Sequence, residues 1–348
     1  LMIIKTITMK KIAILFLAFL GLNVSLQGQE IETILLAKED ASKLTEAYLK
    51  PATKGLIYSM NNGWYHTAKV HKKLGFDVTI GVSGSFVPSK DEMFDLTKLG
   101  LQSTTFSNNN TATLAGNEDR SVSTLTFNGT VQGQNVSADF EMPEGEDVGI
   151  IPAPIIQVGV GLPFDLEAML RFSPKVGSDD VKGSLFGLGL KKEITSWFGP
   201  LDNLPLHVSL LASYTNMNVE YDMGDIYGNI EATNALTEFK LNTYTVQAIA
   251  SINFPIINVY GGVGYNGGNT KLNMTADSDF IAIYNTNTIP SATVTENLGS
   301  NPLFLKSTAG SFNATAGLRL SLGFFKFFAN YTMQEYNSAN AGIAFSFR

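Results

Sequence analysis

From about residue 74 onward, apolar and polar positions alternate with a period of two, as they do in strands with one apolar face. In "LGFDVTIGV" one face carries Leu74, Phe76, Val78, Ile80 and Val82, and the other Gly75, Asp77, Thr79 and Gly81. In "LPLHVSLLASYT" Leu206, Val208, Leu210, Ala212 and Tyr214 share a face. In "SFNATAGLRLSLGFF" Phe312, Ala314, Ala316, Leu318, Leu320, Leu322 and Phe324 oppose Asn313, Thr315, Gly317, Arg319 and Ser321. The pattern predicts twelve strands, at about 74–86, 119–128, 131–142, 153–162, 164–174, 181–192, 204–221, 237–254, 257–274, 303–323, 325–336 and 340–348. The run from Phe312 to Phe324 is long enough to cross a bilayer, for which a tilted strand needs about 9–11 residues.

The connections sort by parity. The odd ones are long or polar, about 87–118, 143–152, 175–180, 222–236, 275–302 and 337–339. The even ones are short, around Gly129, Leu162-Pro163, Phe254-Pro255 and Phe324-Phe325, with 193–203 the exception. Outer-membrane barrels have short periplasmic turns and longer outer loops, whereas a soluble sandwich has no reason to sort its loops. The fold class expected is therefore all-β: an up-and-down antiparallel transmembrane β-barrel of about 12–14 strands. An up-and-down path of this kind puts both termini on the periplasmic side. Hydrocarbon leaves no water for unpaired backbone groups, so the last strand must pair with the first.

The terminal "NANAGIAFSFR" fits that seam. Asn340, Gly342, Phe345 and Phe347 follow the spacing of a barrel-assembly signal: a polar residue, a glycine, then two hydrophobes separated by one. A sandwich edge strand is the alternative for this short pattern. Arg348 then falls at the periplasmic rim.

The region before residue 74 has a different period. Residues 30–50 read as an amphipathic helix with Ile34, Leu35, Leu44, Ala47 and Tyr48 on one face, ended by Pro51. A turn-rich apolar stretch follows, with a turn at Asn62-Gly63. Earlier still, Lys10 and Lys11 precede an apolar run from Ile12 to about Leu22, the layout of a secretory signal. The expected organisation is a signal peptide over 1–28, with Met9 as its start and 1–8 an upstream extension, a helix and hatch over 29–73, and the barrel over 74–348.

Composition agrees. Charged residues are 16% of the 348, below the roughly 25% of soluble proteins. The net charge of −7 argues against a nucleic-acid partner. There are no cysteines, which excludes disulfides, thiol chemistry and a lipoprotein anchor.

"NNGWYHTAKVHKKLGFDVTIG", "GLGLKKEITSW", "LPLHVSLLASYT" and "AGIAFSFR" together resemble an uncharacterised outer-membrane family of Bacteroidetes-type bacteria, a domain of unknown function. The block from "GLGLKKEITSW" to "LPLHVSLLASYT" is also similar to fatty-acid transporters of the FadL type. That resemblance implies a lumen hatch, here 29–73, and a hydrophobic small molecule as cargo. The chain is shorter than those transporters and lacks their N-terminal Asn-Pro motif.

Few residues suggest chemistry. His207 and Ser209 share the inner face of one strand, the spacing of a hydrolase pair or of a polar lining. His66 and His71 lack the partners of a zinc site. The acidic "GSDDVKG" and "YDMGD" suit solvated turns or calcium. The glycines of "VGVG" and "GLGLKK" read as close-packing positions in a barrel wall. Neither an enzyme nor a cofactor or metal is expected. Glu167, Arg171 and Arg319 are candidate lumen charges, either a wet lining or an electrostatic constriction. Trp64, Tyr65 and His66 line a ligand path in the hatch, or Trp64 and Tyr65 anchor the interface as Trp197 and Phe198 do. The leading functional expectation is a passive transporter for small hydrophobic molecules gated by the hatch. The alternative is a plugged structural or surface-interaction protein. Outer-membrane lipid and the barrel-assembly machinery are the expected partners.

Overall fold

The computed structural model describes residues 31–117, 122–178 and 180–347, so the signal segment and Arg348 lie outside the described residues. A run of 3-10 turns, Glu32–Asp40, leads into helix α1, Ala41–Asn61. Seventeen strands follow among the described residues. β1 is Phe76–Phe86, β2 Met93–Asp95, β3 Thr104–Phe106, β4 Asn110–Ala112, β5 Thr124–Val131 and β6 Gln134–Glu141. β7 is Ile150–Leu162, β8 Leu166–Gly177, β9 Val181–Glu193, β10 Leu206–Ile226, β11 Ile230–Asn253 and β12 Ile257–Thr275. β13 is Phe280–Thr286, β14 Thr293–Gly299, β15 Leu303–Leu322, β16 Phe325–Met333 and β17 Ser338–Phe347.

Ten of these close a ring. β1 pairs with β7, the path runs through β8, β9, β10, β11, β12, β15, β16 and β17, and β17 returns to β1, all antiparallel. The seam pairs Phe76 with Phe347 and Ser83 with Asn340, so the last strand does meet the first. Polarity along the ring explains its surroundings. Outward positions hold Ile80, Leu170, Phe186, Leu188, Val246, Val263 and Leu318, all exposed. Inward positions hold Thr79, Ser83, Gln157, Ser213, Thr243 and Ser251, all buried. An apolar outside around a polar inside is the arrangement a bilayer stabilises. No described helix is long and apolar enough to cross a membrane.

The ring of ten therefore falls short of the 12–14 barrel strands expected. β5 and β6 leave the ring and join β3, β13 and β14 in a second sheet, whose strand pairing with the barrel among the described residues is that of β13 with Ile230–Glu231 of β11. Their polarity is reversed: Leu125, Phe127, Val136 and Phe140 are buried, while Thr126, Asn128 and Asp139 face water. The hairpin turn is at Gln132-Gly133, where both residues take positive φ (49° and 79°), and not at Gly129. Together with the β2–β4 ribbon, this sheet forms a cap over the long-loop end of the barrel.

The N-terminal segment runs through the whole molecule. At the cap, Ile34, Leu35, Leu36, Leu44 and Tyr48 pack with Phe127, Phe140, Phe280 and Tyr284 in one core. The Asp40 carboxylate accepts from the backbone N–H of Gln102 (2.9 Å) and Ser103 (3.0 Å). α1 then enters the lumen, Asn61 donates to the Gly267 carbonyl (3.0 Å), and Leu74 N donates to the Gly161 carbonyl (2.9 Å) beside the short turns. The described chain thus starts at the cap and not at the short-turn end, where an up-and-down path would place both termini. The helix also departs from expectation: it starts at Ala41, after a backbone break at Lys38 (φ 52°), and continues through Pro51 to Asn61. A proline costs a helix interior about 3 kcal/mol; burial of α1 on several sides by cap and barrel offsets it.

The cap assignment makes a sidedness prediction. A protease-cleavable tag inserted at Gln132-Gly133 is expected to be cut on intact cells, as is one in 287–292. Protection of the first until the outer membrane is opened would contradict the cap.

Candidate functional site: a plug held in the lumen

The residues expected to carry function converge where the plug leaves α1. Gly63 follows the helix with φ 71°, and a Cβ there would overlap Asn340 Nδ2 and Ile155 Cδ1 (2.1 and 2.3 Å), so only glycine makes this turn. The turn swings Trp64 onto β9. Its indole lies over Gly187 and Gly189, where added Cβ atoms would sit 3.2 and 2.9 Å from ring carbons. The glycines of "GLGL" are a flat floor for this one side chain.

Arg171, the cross-strand neighbour of Gly187, lies over the indole as well, its guanidinium 3.9 Å from the ring centroid. The same guanidinium donates to the carbonyls of Met60 (3.0 Å) and Asn62 (2.9 Å) and to Gln157 Oε1 (3.0 Å). Gln157 in turn donates to the Trp64 carbonyl (3.2 Å). Arg171 is only 1% exposed. A buried cation is tolerable here because the carbonyls at the helix C-terminus point at it, with the negative end of the helix dipole behind them.

Below this lies a charged cluster. His66 Nε2 is 3.1 Å from Asp77 Oδ2, and His66 Nδ1 is 3.0 Å from Arg319. Its ring stacks on Phe328. His71 Nδ1 bonds Glu167 Oε2 (2.9 Å), and Lys191 Nζ holds Oε1 of the same carboxylate (2.9 Å). The plug backbone is fixed as well: His71 N donates to Glu167, Val70 N to Glu193, and Ala68 N to Ser251 Oγ, each at 3.0 Å. Tyr65 packs edge-on against Tyr260. At the upper end, burial pushes the Glu335 carboxyl up, but bonds from Lys54 and Tyr58 outweigh it and hold the group below the usual carboxylate range.

Glu167, Arg171 and Arg319 thus all face inward and bind the plug, and Trp64, Tyr65 and His66 are buried inside the barrel. His207 pairs with Glu193 (2.6 Å), while Ser209 donates to the Ala68 carbonyl, so the two do not form a couple. Trp197 and Phe198 are exposed on the 3-10 segment Thr195–Asn203 at the short-turn rim. At the seam, Asn340 faces the lumen, Gly342 abuts β1, and Phe347 faces outward, stacked on Phe76 and Phe324. Sequence reasoning did not single out Asp77 or Gln157; Asp77 lies on the polar side of its strand's alternation, the signal that would have found it, whereas Gln157 shares its inward face with Ile151, Ala153 and Ile155 and no such signal marks it. Beside α1, a void lined in part by Leu56 and Met60 measures ≈ 10 Å³, no more than one water occupies.

Arg171→Leu is expected to destabilise the folded barrel by about 3 kcal/mol or more, because two carbonyls and Gln157 lose a charged donor in a buried site. Arg171→Lys should not restore it, since an ammonium cannot reproduce the planar fork. The temperature at which heat-modifiable gel mobility is lost reports both. A wild-type midpoint for either variant contradicts the assignment.

Among solved structures the chain is similar to the attachment invasion locus protein Ail of Yersinia pestis in complex with the heparin analogue sucrose octasulfate (8% identity, 79% of this chain and 98% of that one, TM-score 0.26). It is similar to the outer membrane protease OmpT of Escherichia coli (9% identity, 78% and 97%, TM-score 0.29). It is also similar to a FadL homologue of Pseudomonas aeruginosa (9% identity, 78% and 88%, TM-score 0.19). No curated protein matches. A model of a family of unknown function, DUF6588, matches residues 9–347, and the chain belongs to that family.

Proposed function

We propose that this protein is a plugged barrel of the Gram-negative outer membrane whose role is to present its cap to partners outside the cell. One observation carries the reading: the segment that starts in the cap core runs through the lumen to the short turns, bonded to the wall through Asn61, Asn62, Ala68, Val70, His71 and Leu74 on the way. The plug is also held at both ends. Its upper part belongs to the cap core with Phe127 and Tyr284, and its lower part is continuous with β1. A hatch that swings into the periplasm would have to pull Ile34, Leu35, Leu36 and Leu44 out of an apolar core. Each such side chain contributes about 1.5–3 kcal/mol by burial, so that motion would be opposed by several kcal/mol before any polar bond is counted.

Passive transport of small hydrophobic molecules, with His66 and Tyr65 beside the path, is the second reading. What favours it is the inner wall. The side chains of Ser213, Thr215, Thr243 and Asn340 are buried and take no hydrogen bond from the plug or from other described residues. Buried polar groups are costly when unpaired, and a rearranged or hydrated plug would satisfy them.

Planar-bilayer recordings separate the two. The intact chain is expected to show no conductance steps above protein-free background. Vesicles containing it should release a small hydrophobic dye no faster than empty ones. Steady steps or accelerated release would overturn the plugged reading in favour of transport.

A further inference from the structure

Three lysines stand in a row across the outside of the barrel. In the strand register Lys240 of β11 lies opposite Lys271 of β12, and Lys271 lies opposite Lys306 of β15. All three are exposed and share the outward face with Val246, Val263 and Leu318. Directly opposed residues have Cβ atoms about 4.5–5.5 Å apart, and like charges placed so are destabilising. One carboxylate offsets the row: Glu238 pairs with Lys240 (3.0 Å). Glu220, on the neighbouring strand β10, is taken by Lys175 (2.6 Å). Lys306 lies 5.0 Å from the Phe304 ring, and Lys271 has no ion-pair partner among the described residues. Two positive charges are left over.

The depth of the row narrows what can neutralise it. An aromatic girdle runs across the same strands: Tyr244 stacks on Tyr265 (6.3 Å between centroids), and Tyr265 meets Phe312 edge-on (5.4 Å). Such girdles mark the edge of the hydrocarbon. Lys240 lies four residues beyond Tyr244 toward the cap. That is ~13 Å along the strand at about 3.3 Å per residue, or ~10 Å in height for a tilt near 40°. Asn242, Asn269 and Thr308 fill the level between, so the wall turns polar just above the girdle. At this height the barrel's outward face meets lipid headgroups. A groove of ≈ 490 Å³ opens there, lined by Glu238, Lys240, Lys271, Asn273, Asn301 and Phe304.

We propose that this groove and lysine row bind the phosphate groups of an outer-leaflet glycolipid. Phosphate supplies the missing negative charge, and an ammonium binds it as a point charge. Asn301 offers an amide donor and acceptor and Asn273 an amide donor for sugar hydroxyls, and exposed Phe304 an apolar surface for the body of the lipid. The site faces sideways into the headgroup layer, so a lipid reaches it by lateral diffusion, whereas a soluble partner would first have to displace the lipid.

The test uses the full folded chain in detergent, mixed with bisphosphorylated lipid A or its dephosphorylated form, with bound lipid counted by native mass spectrometry. Wild type is expected to retain the bisphosphorylated form, and Lys271→Gln with Lys306→Gln should weaken retention by roughly 25-fold, about fivefold for each lysine. Lys72→Gln with Lys73→Gln, the same charge change at the opposite rim, should leave it unchanged, as should Lys271→Arg. Equimolar inorganic phosphate should not compete. Equal retention of the dephosphorylated lipid, equal loss in the rim variant, undiminished binding in the Lys271/Lys306 variant, or displacement by free phosphate would each overturn the proposal.

Discussion

A strand in hydrocarbon cannot leave its backbone groups unpaired, and the closure of β17 onto β1 that this imposes governs the rest of the molecule. Closure fixes two faces on every strand of the ring. The outer one must be apolar, so the polar side chains turn inward and create a lumen that apolar packing alone does not fill. Eight strands leave an interior that side chains can fill; ten leave room for a segment of chain. Residues 31–73 are that segment, and their contacts change character with height: an apolar core at the cap, a helix through the upper lumen, then a guanidinium and a charged cluster toward the short-turn end.

Arg171 and Trp64 connect these regimes. The helix ends at Asn61, where its carbonyls lose their intrahelical partners. Arg171, from the wall, supplies the donors, and its stacking on Trp64 sets where the chain goes next. The glycine floor at Gly187 and Gly189 then admits the indole at a depth that any larger residue would block. Wall and plug are thus complementary at single-residue scale, which suits a fixed filling better than a loose stopper. The cap adds to this, since its core is built in part from the plug's own Ile34, Leu35, Leu36 and Leu44. The cap core and the occupied lumen are therefore two consequences of one threaded segment, and the proposed role rests on both.

Much of the barrel was legible in the sequence because alternation is a local signal. Leu74 to Val82, Leu206 to Tyr214 and Phe312 to Leu322 each showed which face meets lipid, and the pattern "AGIAFSFR" pointed to the seam. The error over β5 and β6 has a physical source. Their period is also two, but the face that alternates with polar residues is the buried one, and period alone does not distinguish strands with an apolar interior from strands with an apolar exterior. The polar outer face of Thr126, Asn128 and Asp139 was the available clue. The inward placement of Glu167, Arg171 and Arg319 followed from their strands' faces. Their partners did not, because Asp77 with His66, and Glu167 with His71 and Lys191, depend on how far the plug threads, and no local pattern encodes that. Continuation of α1 through Pro51 was hidden for the same reason.

Threading from cap to short-turn end is the central claim, and the absence of cysteines allows a direct test of it. Lys43→Cys sits on α1 at the cap, and Lys72→Cys sits just before β1. With a membrane-impermeant maleimide on intact cells, Lys43→Cys is expected to label and Lys72→Cys to remain unlabelled until the outer membrane is opened. Labelling of Lys43→Cys only after opening would place α1 on the periplasmic side, and the threaded plug would be wrong.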